Sequence, residues 1–205
     1  MVNIFSLIIL PFTIFIFWSA AIVQWTGNFS YFTTYSYFLD KAGSLPRNFP
    51  QFNLVDQREN RVDYESWKGK YKLVDFMYMH CSEVCGIVRS RLSEYHYNLD
   101  PILQEKLDFV SISFDVHRDT PENLDSLWRS MGSSKSWKFY TFNGNESEVF
   151  AQLLDFGVYI IREPSGDFRH TVMHFLLDSE NRVVAIIDPS IGKEKVLLEI
   201  KKEVF

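Results

Sequence analysis

Charged side chains are missing from the first part of this 205-residue chain, and Asp40 is the first of them. Clusters of basic residues are missing throughout, and the formal net charge is −5 with a pI near 5.5. Proteins that bind nucleic acid neutralise its phosphates with clustered lysine and arginine. The sequence therefore predicts no nucleic-acid partner, whereas an acidic docking face for a protein partner fits this charge.

Internal repeats and low-complexity tracts are absent as well. Hydrophobic residues make up 46% of the chain and aromatic residues 17%. This composition suffices for one ordinary core of about 150 residues and an appendage. We therefore expect one soluble domain.

The appendage is the N-terminal segment, which is almost wholly apolar from residue 4 to residue 23. About 20 apolar residues can cross a bilayer as a helix. Trp18 and Trp25 are typical of the aromatic belt at a membrane interface. We predict a single transmembrane helix within residues 1–27 that attaches the protein to a membrane.

A cleaved signal peptide is the alternative for this segment, with Ser19-Ala20-Ala21 as a weak processing site. The missing basic n-region and the length of the apolar run favour a retained anchor. Residues 28–50 are rich in Ser, Thr, Tyr, Gly and Pro and are predicted to form a linker. Residues 51–205 then form the folded domain.

Strand and helix patterns alternate along this domain. The predicted strands are 52–55, 62–64, 72–79, 107–114, 137–142, 170–177 and 182–187, and the predicted helices are 83–98, one beginning at Thr120, 146–156 and 193–204. The first two strands form an N-terminal β-hairpin, and the last two form a second hairpin. Strand–helix–strand units followed by an antiparallel hairpin and a last helix indicate a thioredoxin-like α/β sandwich.

Cysteine is scarce, and the two cysteines, Cys81 and Cys85, follow a predicted buried strand directly. They lie at the predicted start of helix 83–98, where unpaired N–H groups and the positive helix end favour thiolate. Residues four apart on a helix have Cα atoms roughly 6 Å apart, near the upper limit for a disulfide. The pair suits a reducible disulfide, or Cu(I) held by two soft thiolates and a third ligand from elsewhere.

Three other interpretations of the cysteines are weaker. Buried cysteine is often a small hydrophobe. A structural disulfide over so short a loop would constrain little of the unfolded chain. A structural zinc site needs four ligands, and this chain offers three obvious ones.

Four segments stand in order and with natural spacing: VDFMYMHCSEVC at 74–85, ISFDVHRDTPE at 112–122, VFAQLLDFGVY at 149–159 and HTVMHFLLD at 170–178. Together they resemble the Sco/SenC family of membrane-anchored, thioredoxin-like proteins that are tied to copper delivery to cytochrome c oxidase. The resemblance runs from residue 52 to the C-terminus. It implies a copper chaperone, or a thiol reductant, for the binuclear copper centre of the oxidase.

Carried over residue by residue, the resemblance makes Cys81 and Cys85 the thiolate ligands of Cu(I) and His170 the imidazole ligand. Cu(II) would need a further donor, such as water or Glu83. The implied partner is cytochrome c oxidase subunit II or another copper protein. The protein is then a metallochaperone rather than an enzyme.

The alternative function is that of a thiol-disulfide oxidoreductase that reduces partner cysteines without carrying metal. It needs Cys81 and Cys85 but not His170. The missing basic transit segment favours the bacterial inner membrane, with the domain in the periplasm, over the mitochondrial inner membrane.

The sequence departs from the family pattern at three positions. Ser82 and Gly86 stand where the family usually has proline after each cysteine, and Arg169 stands where it usually has an acidic residue. No ligand is lost. A cation beside His170 disfavours the imidazolium and offers a docking charge of the opposite sign.

Four more histidines need an interpretation. His174 is predicted on the same strand face as His170, roughly 13 Å away by the strand rise, so the two do not share an ion. His80 is predicted to point away from Cys81, with an auxiliary ligand role as the alternative. His96 and His117 are predicted to be structural or solvent-facing, and a loop ion pair is predicted between Arg118 and Asp119.

Overall fold

The computed structural model describes residues 4–27, 33–80 and 92–205. Its α-helices are α1 (Ile4–Trp25), α2 (Thr34–Lys41), α3 (92–97 of the described chain), α4 (Pro101–Lys106), α5 (Pro121–Ser130), α6 (Glu146–Phe156) and α7 (Lys193–Val204). Its strands are β1 (Arg47–Asn48), β2 (Leu54–Asp56), β3 (Tyr71–Met77), β4 (Leu107–Ser113), β5 (Trp137–Phe142), β6 (Ile160–Arg162), β7 (Phe168–His170), β8 (His174–Leu177) and β9 (Arg182–Ile187).

A seven-stranded sheet with the order β1-β9-β8-β3-β4-β5-β2 forms the centre of the domain. Strands β3, β4 and β5 are parallel, and β8 pairs antiparallel with both β3 and β9. Strands β6 and β7 form a separate antiparallel pair. This arrangement confirms the predicted thioredoxin-like α/β sandwich.

The sheet separates two hydrophobic clusters because successive side chains of a strand point to opposite faces. On β3, Val74 and Phe76 join the cluster beneath α6, whereas Leu73 and Met77 join the cluster beneath α3, α4, α5 and α7. Burial on both faces explains why β3 is a nearly continuous apolar run. Lys72 and Asp75 are the charged residues within that run, and both are buried.

Local start and stop signals in the sequence are confirmed at α5 and α6. Thr120 caps α5 by accepting from the N–H of Asn123, and Pro121 is its first residue. Gly157 ends α6 with a φ of 100°, a left-handed conformation that favours glycine. A Cβ at Gly157 would lie 3.1 Å from the Cβ of Ala42, so α2 packs closely against this turn.

The predicted linker at 28–50 contains folded structure. Phe38 on α2 stacks on Tyr159 with ring centroids 5.2 Å apart. Arg47 donates to the backbone oxygen of Phe156, and β1 pairs with β9 at the edge of the sheet. Within the described residues 33–50, these contacts are made with residues more than 100 positions later in the chain. The loop-like composition of the segment therefore did not reveal its structure.

The first predicted hairpin is reduced to one bridge, and the second hairpin is shorter than predicted. Residues 52–64 form β2, one isolated bridge between Val55 and Arg61, and a 3-10 turn, while β2 itself pairs with β5. The predicted strand 170–177 is two strands, because β7 ends at His170 and pairs with β6, whereas β8 begins at His174. The hairpin of β8 and β9 is confirmed.

Helix α1 covers most of the segment predicted to cross a membrane, and it contains Pro11. Among residues 4–27, 33–80 and 92–205, no helix meets the combined requirement of length and apolarity for a membrane span. The predicted transmembrane helix is not supported by this finding.

Candidate metal centre

Cys81 and Cys85 lie outside the described residues, together with Ser82, Glu83 and Gly86. The described chain includes the residues directly before Cys81 and the third predicted ligand. The described side of the candidate site therefore consists of the end of β3, the loop between β4 and α5, and β7.

His170 is the last residue of β7 and is partly buried. The rings of Tyr78 and Phe114 have centroids 5.9 and 5.0 Å from its imidazole. Its Nδ1 lies 2.9 Å from the backbone oxygen of Thr171. Because a carbonyl oxygen only accepts, this hydrogen bond assigns the proton to Nδ1 and the lone pair to Nε2.

Burial lowers the pKa of His170 to about 4. The imidazole is therefore neutral at physiological pH, and a neutral imidazole is the form that binds metals. Arg169, the cation predicted to tune this ring, is exposed and pairs with Glu163 at 3.0 Å. Desolvation, rather than Arg169, is the cause of the low pKa.

Two hydrogen bonds join the chain that follows β3 to β7. The Tyr78 hydroxyl donates to the backbone oxygen of Phe168 and accepts from the N–H of Phe168, both at 3.2 Å. Their rings pack edge to face with centroids 5.1 Å apart. Tyr78 lies just before Cys81, and Phe168 just before His170. The pair therefore holds the chain before Cys81 beside the chain before His170, the third predicted ligand.

Asp119, in the loop between β4 and α5, contacts the residues that precede Cys81. Its Oδ2 accepts from the N–H of Met79 at 2.7 Å and from the hydroxyl of Ser113 at 2.5 Å, and its Oδ1 lies 3.4 Å from Nδ1 of the exposed His80. Burial raises the pKa of the Asp119 carboxyl. His80 thus faces a carboxylate.

The predicted ion pair between Arg118 and Asp119 is wrong. The Arg118 guanidinium pairs through Nε with Asp115 and lies over the rings of Tyr78 and Phe168, at 5.8 and 5.4 Å from their centroids. The loop that holds Asp119 therefore also packs against the aromatic pair that joins the ligand-bearing segments.

His80, Asp115 and Asp119 form a group of side chains that could hold a metal ion, because one ligand atom of each lies within 4.8 Å of the others. Carboxylate oxygens suit harder cations than Cu(I). Both carboxylates already accept hydrogen bonds inside the loop. The described hydrogen bonds tie the two carboxylates to the end of β4 and to their own loop.

His174 lies apart from this site. It is fully buried at the start of β8, opposite Asp75 on β3, and its ring meets that of Tyr95 at 6.0 Å. It therefore belongs with the cluster that contains Tyr95, whereas Tyr78 beside His170 belongs to the other cluster. The prediction that the two histidines share one strand and one face is wrong.

His96 and His117 have the structural and solvent-facing roles that the sequence predicts. Nε2 of His96 lies 2.9 Å from the hydroxyl of Ser136 and 3.1 Å from that of Ser134. His117 is exposed, in the loop between β4 and α5 that also holds Asp119.

Asp75 is a buried ionisable group that the sequence interpretation missed. Its Oδ1 accepts from the Ser111 hydroxyl at 2.6 Å, and the Ser111 oxygen accepts from the indole of Trp137 at 3.0 Å. Burial raises the pKa of Asp75 to about 7. An acidic residue inside the otherwise apolar run Leu73–Met77 was the signal that could have revealed it.

Comparisons with known proteins agree with this architecture. The yeast Saccharomyces cerevisiae mitochondrial protein SCO2 is 24% identical over 79% of this chain and 54% of its own length. The SCO1 protein homolog of Bacillus subtilis is 27% identical over 65% of this chain and 69% of its own. The chain thus spans about half the length of the yeast relative.

Among solved structures, Bradyrhizobium japonicum ScoI with copper bound is similar, with a TM-score of 0.62 and 26% identity over 76% of this chain and 98% of that one. The sequence model of the SCO1/SenC family matches residues 41–204. That match covers the whole described domain, including β7 and the loop that holds Asp119. The chain belongs to the SCO1/SenC family.

Proposed function

We propose that Cys81, Cys85 and His170 bind Cu(I) and that the protein delivers copper to, or matures, the binuclear copper site of cytochrome c oxidase. Family membership and the copper-bound ScoI of Bradyrhizobium japonicum support this role. The observation that carries the proposal is the hydrogen bond from Nδ1 of His170 to the Thr171 oxygen. It prepares Nε2 as a ligand, as outer hydrogen bonds do in metal sites.

Two thiolates and one imidazole make a soft donor set that suits Cu(I). Three ligands leave room for a thiolate of the partner to join the ion before a ligand of this chain departs. Copper can then move by ligand exchange with no change in oxidation state. The proposed partner is cytochrome c oxidase subunit II or another copper protein.

The copper-binding unit in this proposal is the domain at 51–205, onto which α2 and β1 fold. The proposed place of action is the bacterial periplasm, with the mitochondrial intermembrane space as the alternative. Relatives from both kinds of source, bacterial and mitochondrial, are consistent with it. Fractionation of cells that express the full chain tests the compartment.

An anaerobic Cu(I) titration of the full chain against a competing chelator tests the binding role. We expect one tightly bound equivalent in the parent and a loss of affinity of at least about 100-fold in Cys81→Ser, Cys85→Ser and His170→Ala, more than removal of an outer partner costs. His117→Ala, at an exposed position, is the matched control and should bind as the parent does. Parental affinity in Cys85→Ser or His170→Ala would refute the proposed ligand set.

The second candidate function is that of a thiol-disulfide oxidoreductase. The observation that favours it is the spacing of Cys81 and Cys85, four positions apart and a few residues after β3, which suits a reducible disulfide. This function requires both cysteines and no histidine ligand, so full reductase activity in His170→Ala together with absent copper binding in the parent would select it.

A further inference from the structure

Asp119 occupies an unusual position for a carboxylate. It is 1% exposed, and burying a charged carboxylate costs free energy unless hydrogen bonds replace its water. Here the hydrogen bonds that replace water come from the chain just before Cys81 and from the end of β4. The N–H of Met79 and the hydroxyl of Ser113 both donate to Oδ2, at 2.7 and 2.5 Å.

The stretch that Asp119 holds ends directly before Cys81. Met79 is held through its backbone, so its hydrogen bond fixes where the chain runs rather than where a side chain points. The ring of the exposed His80 lies nearby, with Nδ1 3.4 Å from Oδ1 of Asp119. Asp119 therefore fixes the chain through the backbone of Met79, and its second oxygen faces the next residue.

The same loop also contacts the segment that carries His170. Arg118 lies over the rings of Tyr78 and Phe168, at 5.8 and 5.4 Å, and pairs with Asp115 at the other end of the loop. Phe168 is fixed to Tyr78 by two hydrogen bonds of 3.2 Å. One loop, 115–119, therefore touches the chain before Cys81 and the chain before His170.

We propose that Asp119 is a positioning residue of the copper site, which fixes the backbone at Met79, just before the predicted thiolate ligands, relative to the segment that carries His170. The inference rests on the copper-binding function proposed above. Asp119 contributes no ligand in this role. It acts as an outer partner that restricts the ligand-bearing chain, and loss of such partners typically lowers metal affinity by about 10- to 100-fold.

The test compares two variants, Asp119→Ala and Asp119→Asn, with the control Asp125→Asn. Asp125 is an acidic residue on α5 that pairs with Arg129 at 2.7 Å. Cu(I) affinity is measured by chelator competition on the full chain, and amide hydrogen exchange is measured at Met79 in the copper-free protein. We expect Asp119→Ala to bind Cu(I) about 10- to 100-fold more weakly than the parent. We also expect its amide hydrogens to exchange faster than those of the parent only at residues 78–80.

Asp119→Asn should recover part of both effects, because its amide oxygen can still accept from Met79. Asp125→Asn should match the parent. Parental copper affinity in Asp119→Ala would overturn the proposal, as would a second metal equivalent that the parent binds and Asp119→Ala loses. If Asp119→Ala does not fold, Asp119→Asn and Ser113→Ala take its place, with parental affinity in both as the overturning result.

Failure of the proposed function gives a different pattern. In that case the parent binds no Cu(I), and only the hydrogen-exchange experiment tests whether Asp119 positions the chain at residues 78–80. Faster exchange confined to residues 78–80 in the Asp119 variants supports the positioning role. Faster exchange throughout the domain shows a general stabilising role instead and overturns it.

Discussion

Strands β7 and β8 each contain one histidine, His170 and His174, and the surroundings of the two rings differ. His170 and His174 both have a pKa lowered to about 4 by burial. At the end of β7, His170 has aromatic neighbours and donates from Nδ1 to the Thr171 oxygen. At the start of β8, His174 lies in the central sheet, and neither ring nitrogen has a hydrogen-bond partner in the described chain.

Burial and pKa therefore do not distinguish a candidate ligand from a core histidine in this protein. The hydrogen bond at Nδ1 distinguishes His170 from His174, because it fixes the tautomer and orients the ring. The positions of the two histidines in the fold also differ. His170 lies beside the segment that leads to Cys81, whereas His174 faces the other hydrophobic cluster across from Asp75.

The largest expected difference is in stabilisation by copper. At a free Cu(I) concentration of about 1,000 times the dissociation constant, bound copper should raise the free energy of unfolding of the parent by about 4 kcal/mol. His174→Leu should keep this gain, whereas His170→Leu should lose most of it. Denaturant unfolding with and without buffered Cu(I) measures the gain, and equal losses in both variants would remove the distinction between the two histidines.

The second largest effect is expected from Asp75, which pairs with His174 on the adjacent strand. Its folded pKa of about 7 lies above the unfolded value of 3.8, so the folded state binds the proton more tightly and stability falls as the pH rises from about 4 to about 7. Asp75→Asn should raise the free energy of unfolding at pH 8 by about 3 kcal/mol, and by much less at pH 4. Urea unfolding across this pH range provides the measurement, and a constant difference would contradict the assignment.

His174 should show the opposite pH dependence. Its folded pKa of about 4 lies below the unfolded value of 6.5, so its neutral form is favoured in the fold and stability is lost as the pH falls from 6.5 through 4. His174→Leu also removes a buried polar group without partners, which is worth about 1–3 kcal/mol. We expect higher stability than the parent at pH 7 and a larger advantage at pH 5, measured by thermal unfolding.

The smallest effect should come from Arg169. Its ion pair with Glu163 is exposed, and such pairs contribute about 0–1 kcal/mol. Arg169→Glu should leave the pKa of His170 and the Cu(I) affinity close to parental values. NMR titration of the His170 ring measures that pKa, and a marked upward shift would show that Arg169 does tune the ligand.

Sequence patterns predicted the elements whose signals are local. Helix α6 and strand β5 occupy their predicted ranges, and Thr120 and Gly157 act as the expected cap and stop. Helix α2 was missed because its packing against Gly157 and Tyr159 involves residues more than 100 positions away. The break between β7 and β8 was missed because both flanks have strand composition, and only the partner strands separate them.

The site could be predicted only in part for the same reason. His170 was chosen by family resemblance, and the hydrogen bond that prepares it is made by the next residue of the chain. Asp119 was assigned to a minor ion pair, because its partner Met79 is 40 residues away and contributes a backbone group. Sequence patterns do not display such backbone contacts.

The packing of α2 against the domain also limits the distance between the end of α1 and the domain. Gly27 is the last described residue after α1, and Thr33 already caps α2. A fully extended chain between these two residues spans roughly 20 Å. The start of α2, and with it the part of the domain on which α2 packs, therefore lies within about that distance of the end of α1.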